Sequence, residues 1–362
     1  MRTLVVSQQG ARLRLRGEEL IVEQGAVKLA TVRLGEILQL VMMGSIELTP
    51  AARAALLRRG IDTVFMTVGG RYLGRLIGAS HGNAPLRISQ YESLTVPSTA
   101  IRLARQIVKG KVTNQRRLLM RVQNRRPHPD RAAAIIRLAW CERELDSASE
   151  IDVIRGLEGD AASVYFGAFG GLMTHERFLF EGRNRRPPRD PVNAMLSFGY
   201  ALLQASVEGA VYRAGLDPYL GALHAPRQGA TALVFDLMEE FRPLAVDSLV
   251  LRLINQRQVD PGDFRRFQVG TAPEEILAAD NDGVSSDTGG SSPESAPVVG
   301  VHLADAGRKI LIGAYYRALR RRTHHVGRGM RLTLSRIIVE QAYALARWIQ
   351  GQVDDYRPHC PR

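Results

Sequence analysis

The chain has 362 residues, of which 45% are hydrophobic and 23% charged, and it carries a net charge of +13. This length and balance predict two or three folded domains, and two distant cysteines exclude a disulfide framework or a zinc finger. No run of 18 apolar residues and no leader pattern is found, so we expect a cytoplasmic protein without a membrane span.

The excess positive charge indicates a polyanionic partner. Lys and Arg number 49 against 36 Asp and Glu, and most of the excess is arginine, whose planar fork binds phosphate. Nucleic acid is favoured over a membrane surface, and a basic but inert solvated surface is the alternative.

The first 80 residues predict a small β-rich domain with one helix. Short strands punctuated by glycine are expected at residues 3–7, 11–16, 19–23, 26–33, 36–43, 61–68 and 71–77. In the second of these, arginine and leucine alternate, which gives one basic and one apolar face. Thr49 and Pro50 mark the start of a helix that stops at Gly60.

A larger, mostly α-helical domain is expected to follow, which makes the fold class α+β. Residues 81–95 are interpreted as a linker because glycine, asparagine and proline cluster there. Within the helical domain, residues 96–362, apolar spacing predicts helices at 101–122 and 131–145. Residues 271–297 hold acidic residues but no Lys or Arg, and we expect a disordered loop.

Two segments carry candidate chemistry. In the first, Glu158 lies between Gly156 and Gly159 inside a helical pattern, where glycine costs about 1 kcal/mol against alanine. The glycines would let a ligand or another backbone approach the carboxylate. The alternative is a glutamate that complements a helix N-terminus, and on this segment alone the alternative is favoured.

In the second segment, His224 precedes a loop and then a helix with Asp236, Glu239 and Glu240. Asp236 and Glu239 share a helical face and repel each other unless a cation or proton lies between them. The alternative is a solvated acidic face neutralised by Arg242. Carboxylates with a histidine suit Mg²⁺ or Mn²⁺, and such an ion in a basic protein is typical of a nuclease or integrase.

The chain resembles the CRISPR-associated integrase family, the catalytic subunit of spacer acquisition. The resemblance covers nearly the whole chain and rests on the order and spacing of several short motifs. They are Gly82-Asn83, Leu86-Arg87, Gln90-Tyr91, Lys111 with Asn114-Gln115, RGLEG with Tyr165-Phe166, DPVNAMLSFGYALL (190–203), GLDPYLGALH (215–224) and DLMEEFRP (236–243). The acidic segment 271–297 is longer than the family pattern.

The resemblance implies a small β-rich dimerisation domain, a helical catalytic domain, and a homodimer that assembles with a small ferredoxin-like CRISPR adaptation protein. Carried over by motif, the metal ligands are Glu158, His224 and Glu239, and Asp236 is a further catalytic residue. The implied reaction is attack of the 3′-hydroxyl of a short double-stranded DNA on a phosphodiester at the edge of the CRISPR repeat, with Mg²⁺ or Mn²⁺.

Two other functions are compatible with the same residues. One is a stand-alone, structure-preferring DNA endonuclease, and the other is a non-catalytic DNA-binding protein. A basic run before the DPVNAMLSFGY segment is a candidate DNA contact, with a solvated loop as the alternative. This run comprises Arg183, Arg185, Arg186 and Arg189.

Overall fold

The computed structural model describes residues 2–78, 83–184, 187–268 and 299–361, and contacts divide these into two compact units. The first unit contains the described residues up to 78, and the second contains those from Asn83 onward. The acidic segment expected to be disordered, 271–297, lies outside the described residues.

The first unit contains two four-stranded sheets and one α-helix in its described part, which confirms a β-rich N-terminal region. In one sheet the order is β1-β5-β7-β8, with β8 antiparallel to its neighbour, and in the other it is β4-β3-β2-β6. The strands are β1 (Arg2–Val6), β2 (Arg12–Arg16), β3 (Glu19–Gln24), β4 (Val27–Arg33), β5 (Ile37–Met43), β6 (Glu47–Leu48), β7 (Asp62–Met66) and β8 (Tyr72–Leu76).

Alternation of side chains along β2 sets its two faces, as the sequence predicts. Leu13 is fully buried, whereas Arg12 and Arg16 are exposed. Helix α1 (Pro50–Arg58) packs on this core through buried residues that include Leu56, and the Thr49 hydroxyl caps it by accepting from the Ala52 amide at 3.4 Å.

The second unit is mostly helical. Its helices are α2 (Ala84–Leu94), α3 (Pro97–Gln123), α4 (Pro129–Ser147), α5 (Ile151–Phe169), α6 (Pro191–Ala214), α7 (Ala232–Glu239), α8 (Ser248–Asn255), α9 (Asp305–Leu319) and α10 (Leu334–Ile349). Two two-stranded antiparallel sheets accompany them, formed by β9 (Phe264–Gln268) with β10 (Val299–Leu303) and by β11 (Arg322–His325) with β12 (Met330–Thr333).

Helix α2 occupies most of the segment that was interpreted as a linker. Asn83 accepts a hydrogen bond from the Leu86 amide at 3.2 Å, and Pro85 lies in the first turn. Asparagine and proline are common in turns, but they are also common at the start of a helix. Here they begin a helix. In the described part of the chain, no helix has both the length and the apolar character needed to cross a membrane.

Two contacts of the second unit position the candidate site. Helix α3 packs against α4, α5 and α7, so that residues far apart in sequence meet along it. The buried Gln90 side chain of α2 donates to the carbonyls of Asp217 and Leu220, at 2.9 and 3.0 Å, and accepts from the Asp217 amide at 2.8 Å. Gln90 therefore holds the loop that leads to His224.

Candidate metal centre

Glu158 lies on α5 with about a quarter of its side chain exposed. A Cβ atom added to Gly156 or Gly159 would meet no described atom within 4 Å. The glycines therefore do not bring another backbone of the described chain close, as one interpretation of the sequence expected. They leave open space on either side of the carboxylate.

Glu239 ends α7 and is almost fully buried between two cationic side chains. Its Oε1 accepts from Arg242 Nε at 3.0 Å, and its Oε2 lies 2.6 Å from the Lys111 ammonium. Burial raises the pKa of this carboxyl, but Arg242, Lys111 and His224 outweigh burial and lower the pKa well below its usual range. Glu239 is therefore ionised at neutral pH.

Lys111 joins the two glutamates. From the buried face of α3, its ammonium contacts Glu158 Oε1 as well as Glu239. Burial lowers the pKa of Lys111, but the negative charges of Glu158 and Glu239 raise it by more than burial lowers it. The net shift of the pKa is therefore upward. Two carboxylates from different helices thus converge on a single cation.

His224 is held by Asp236, which is fully buried on α7. The ring Nδ1 lies 2.7 Å from Asp236 Oδ1, and the same carboxylate accepts from the amides of Ala222, Leu223 and His224, at 2.5, 3.0 and 2.9 Å. At Gly221, a Cβ atom would come within 2.6 Å of Asp236 Oδ2. A metal-binding histidine commonly contacts a carboxylate in this way, which directs its other nitrogen, Nε2, away from that carboxylate.

The residues present fit a divalent ion in donor chemistry, although they are not assembled around one. Among the described residues, no three His, Cys, Asp or Glu side chains converge as a ready-made metal centre. Glu239 Oε2 is buried and forms no well-aligned hydrogen bond there. Two carboxylates and an imidazole suit Mg²⁺ or Mn²⁺ if the ion takes the position of the Lys111 ammonium.

A buried network fixes Arg242 behind Glu239. The guanidinium lies over the Tyr200 ring at 4.4 Å, and Tyr200 donates to Asp247 Oδ1 at 2.6 Å. Tyr165 donates to the other oxygen of Asp247 at 2.8 Å. Burial raises the pKa of Asp247 to about 6, against the opposing effect of both tyrosines. Asp247 ends a π-helical turn, Arg242–Asp247, which the sequence analysis did not identify.

A C-terminal tail, defined here as residues 356–361, packs on the neighbouring residue Glu240. This carboxylate accepts from Tyr356 Oη at 2.7 Å and from the His359 amide, yet burial raises its pKa to about 7. Asn114 of α3 donates to the carbonyls of Glu240 and His359, at 2.8 and 2.9 Å. The tail therefore holds α3 and the end of α7 together.

The candidate DNA-binding arginines differ in their surroundings. Arg183 donates to the side chains of Asn193 and Ser197, at 2.9 and 3.0 Å, and its guanidinium packs on α6. Arg189 is exposed, whereas Arg185 and Arg186 lie outside the described residues. These contacts give Arg183 a role in packing, and the role of the run in DNA binding stays a prediction.

Comparison with known proteins gives concordant matches over most of the chain. The model of the family "CRISPR associated protein Cas1" matches residues 4–272. A CRISPR-associated endonuclease Cas1 of Rhodospirillum rubrum is 34% identical over 99% of this chain and 98% of its own. A Cas4 exonuclease/Cas1 endonuclease fusion of Geobacter sulfurreducens is also 34% identical, and the match covers 98% of this chain and 59% of the fusion.

Solved structures share the fold. A casposase bound to an integration product matches with a TM-score of 0.79 at 20% identity, over 99% of this chain and 93% of its own. A chain of a Cas6-RT-Cas1–Cas2 complex matches with a TM-score of 0.75 at 23% identity, over 98% of this chain and 36% of its own. At these identities the likeness concerns the fold, which agrees with the α+β prediction.

Proposed function

This chain belongs to the Cas1 family of CRISPR-associated proteins, and we propose that it is a metal-dependent DNA integrase and endonuclease. In this proposal it joins the 3′-hydroxyl ends of short double-stranded DNA to the edges of the CRISPR repeat by transesterification. The observation that carries the proposal is the convergence of Glu158 and Glu239 on one cation beside His224.

In the proposed site, Glu158, His224 and Glu239 bind Mg²⁺ or Mn²⁺. The ion supplies polarisation of a phosphoryl oxygen and charge neutralisation in phosphoryl transfer. Asp236 orients the His224 ring, and Arg242 keeps Glu239 ionised and in place. Lys111 balances the negative charges of the two glutamates, and a bound ion would take the position of its ammonium.

The proposed partners are double-stranded DNA, a second copy of this chain and a small ferredoxin-like adaptation protein. The net charge of +13 supports binding to a polyanion. One protein with the same fold forms part of a Cas1–Cas2 complex, and another binds an integration product. The first unit is proposed as the dimerisation domain.

A strand-joining assay tests the proposal. Wild type and the variants Glu158→Gln, His224→Asn and Glu239→Gln are incubated with the adaptation partner, a short duplex, a repeat-bearing plasmid and Mn²⁺ or Mg²⁺. We expect joining at the repeat edge by wild type, and a loss of at least a hundredfold in each variant, with circular dichroism and DNA binding retained.

The matched control is Asp152→Asn, which removes a carboxylate from the same helix as Glu158. The Asp152 side chain is 88% exposed, so this variant should join at the wild-type rate. Joining by the three site variants at the wild-type rate would refute the ligand set.

A stand-alone endonuclease is the second candidate, because several relatives are named endonucleases. It predicts metal-dependent cutting of the plasmid without joining, and with the same sensitivity to the three substitutions. A non-catalytic DNA-binding protein predicts neither reaction, but salt-dependent binding that needs no metal.

A further inference from the structure

Asp247 is buried at the end of the π-helical turn Arg242–Asp247 in the second unit. Its two carboxylate oxygens accept hydrogen bonds from tyrosines of different helices. Tyr165 of α5 donates to Oδ2 at 2.8 Å, and Tyr200 of α6 donates to Oδ1 at 2.6 Å. Both tyrosines are buried as well. One carboxylate therefore ties the turn to two helices at once.

The first of these hydrogen bonds leads to Glu158. Tyr165 follows Glu158 on α5 by seven residues, which is about two helical turns, so both side chains project from the same side of the helix. When Asp247 fixes the Tyr165 hydroxyl, it also fixes the rotation of α5 about its own axis. That rotation determines where the Glu158 carboxylate points.

The second hydrogen bond leads to Glu239. The ring of Tyr200 lies under the Arg242 guanidinium at 4.4 Å, and Arg242 Nε donates to Glu239 Oε1 at 3.0 Å. Because Asp247 fixes the Tyr200 hydroxyl, two planar groups link its position to that of Glu239. The two glutamates therefore share one buried support.

This arrangement contains more than helix packing requires. A buried carboxylate is costly, and apolar partners of the same volume would pack the helices at a lower cost. π-Helical turns are rare and often occur at functional sites. Gly199 of α6 also makes room for the turn, since a Cβ atom there would come within 2.5 Å of the Val246 side chain. These features point to a role in positioning.

We propose that Asp247 is a positioning residue of the candidate metal centre and, through its two tyrosine partners, holds Glu158 and Glu239 at the spacing that one cation spans. The Lys111 ammonium contacts both carboxylates, so a single cation does span them in this fold. That a divalent ion uses the same spacing rests on the proposed function.

Three variants release the two supports separately or together. Tyr165→Phe and Tyr200→Phe each remove one hydroxyl and keep the ring, whereas Asp247→Asn keeps the shape of the acceptor and removes its charge. The matched control is Tyr315→Phe, which removes another buried tyrosine hydroxyl of the same unit, one that contacts Ser206 Oγ at 2.9 Å. Circular dichroism checks folding, and if Asp247→Asn does not fold, the two tyrosine variants carry the test.

The first measurement is the Mn²⁺ dissociation constant of each folded protein without DNA, obtained from the electron paramagnetic resonance signal of free Mn²⁺. Loss of a residue that orients metal ligands typically costs about 10–100-fold in metal affinity. We expect the Kd to rise by a factor in this range in Asp247→Asn, by about tenfold in each tyrosine variant, and to stay unchanged in Tyr315→Phe. A purely structural role would lower stability without changing the affinity of the folded protein.

The second measurement needs no metal, and it separates this inference from the proposed function. Urea denaturation in EDTA gives the stability losses of Lys111→Met, of each tyrosine variant and of the corresponding double variants. Without the ammonium the two glutamates repel each other, and a released helix lets them separate. The loss in a double variant with Tyr165→Phe or Tyr200→Phe should therefore be smaller than the sum of the single losses, whereas losses with Tyr315→Phe should add.

Additive losses with the two site tyrosines, or wild-type Mn²⁺ affinity in their folded variants, would overturn the inference. If wild type binds no Mn²⁺ while the losses are coupled, the proposed function fails, and Asp247 still positions the two glutamates around Lys111. Weaker Mn²⁺ binding together with coupled losses supports the role of Asp247 at a metal centre.

Discussion

Lys111→Met removes the cation between Glu158 and Glu239 while it keeps an unbranched side chain on α3. The Lys111 ammonium contacts both carboxylates, and the Lys111 side chain is 8% exposed. Methionine fills most of the same space but carries no charge, so two like charges are left facing each other. The substitution therefore tests whether this position is a cation site.

The size of the effect follows from the burial of the two partners. Loss of one member of a buried ion pair typically destabilises a protein by about 3–5 kcal/mol. Arg242 still contacts Glu239, and the Glu158 side chain is 26% exposed to water. Both features moderate the loss, so we expect about 3 kcal/mol for the metal-free second unit.

Urea denaturation in EDTA measures this loss, with Lys109→Met as the control. Lys109 lies on the same helix, α3, and pairs with Asp146 of α4 at the surface, where such ion pairs contribute about 0–1 kcal/mol. Added Mn²⁺ should stabilise Lys111→Met more than it stabilises wild type, because no ammonium competes for the glutamates.

Two results would refute this reasoning. If Lys111→Met is as stable as wild type in EDTA, the ammonium does not hold the glutamates. If Mn²⁺ stabilises both proteins equally, the ion binds elsewhere and the cation position is not a metal site.

Four further substitutions test the surroundings of the site. Asp236→Asn places an amide against backbone N–H donors, so urea denaturation should show a loss of about 3 kcal/mol, and strand joining should fall because the His224 ring loses its partner. Burial raises the pKa of Glu240 to about 7, so its contribution to stability is complete below about pH 4.5 and is lost as the pH rises through 7. The stability of wild type relative to Glu240→Gln should therefore decrease by up to about 3 kcal/mol from pH 4.5 to 7, and a constant difference in urea denaturation would contradict this. Gly110→Ala, whose Cβ would lie 2.5 Å from the C-terminal tail, should cost about 1–3 kcal/mol, whereas Gly156→Ala, with open space around it, should gain about 0.5–1 kcal/mol in the same measurement.

Local patterns in the sequence predict much of the fold. The strands of the first unit follow from alternation and glycine punctuation, and only the two-residue strand β6 is too short to leave a pattern. Helices α3 and α4 contain the predicted helices because apolar spacing identifies a helix packed on one face. The choice between a turn and a helix start at Asn83 depended on packing that local residues do not encode.

The candidate site was predicted in part, and its central cation was not. Motif resemblance selects Glu158, His224 and Glu239 as ligands. No local sequence pattern predicts that a lysine lies between Glu158 and Glu239. One signal was available: Lys111 lies on the apolar stripe of α3, four residues after Ile107, where a charged side chain needs a buried partner. Asp247 gave no comparable signal, because a π-helical turn determines its position.

The charged groups of the candidate centre come from distant parts of the chain. Lys111 and Glu158 are 47 positions apart, and Glu239 lies at the end of α7, further along the chain. A folding intermediate that lacks the packing of α7 on α3 therefore has no complete centre. For a protein proposed to break and join DNA, it follows that DNA binding and DNA cleavage need different degrees of folding. Nascent or partly unfolded chains would bind chromosomal DNA through their basic charge without being able to cut it.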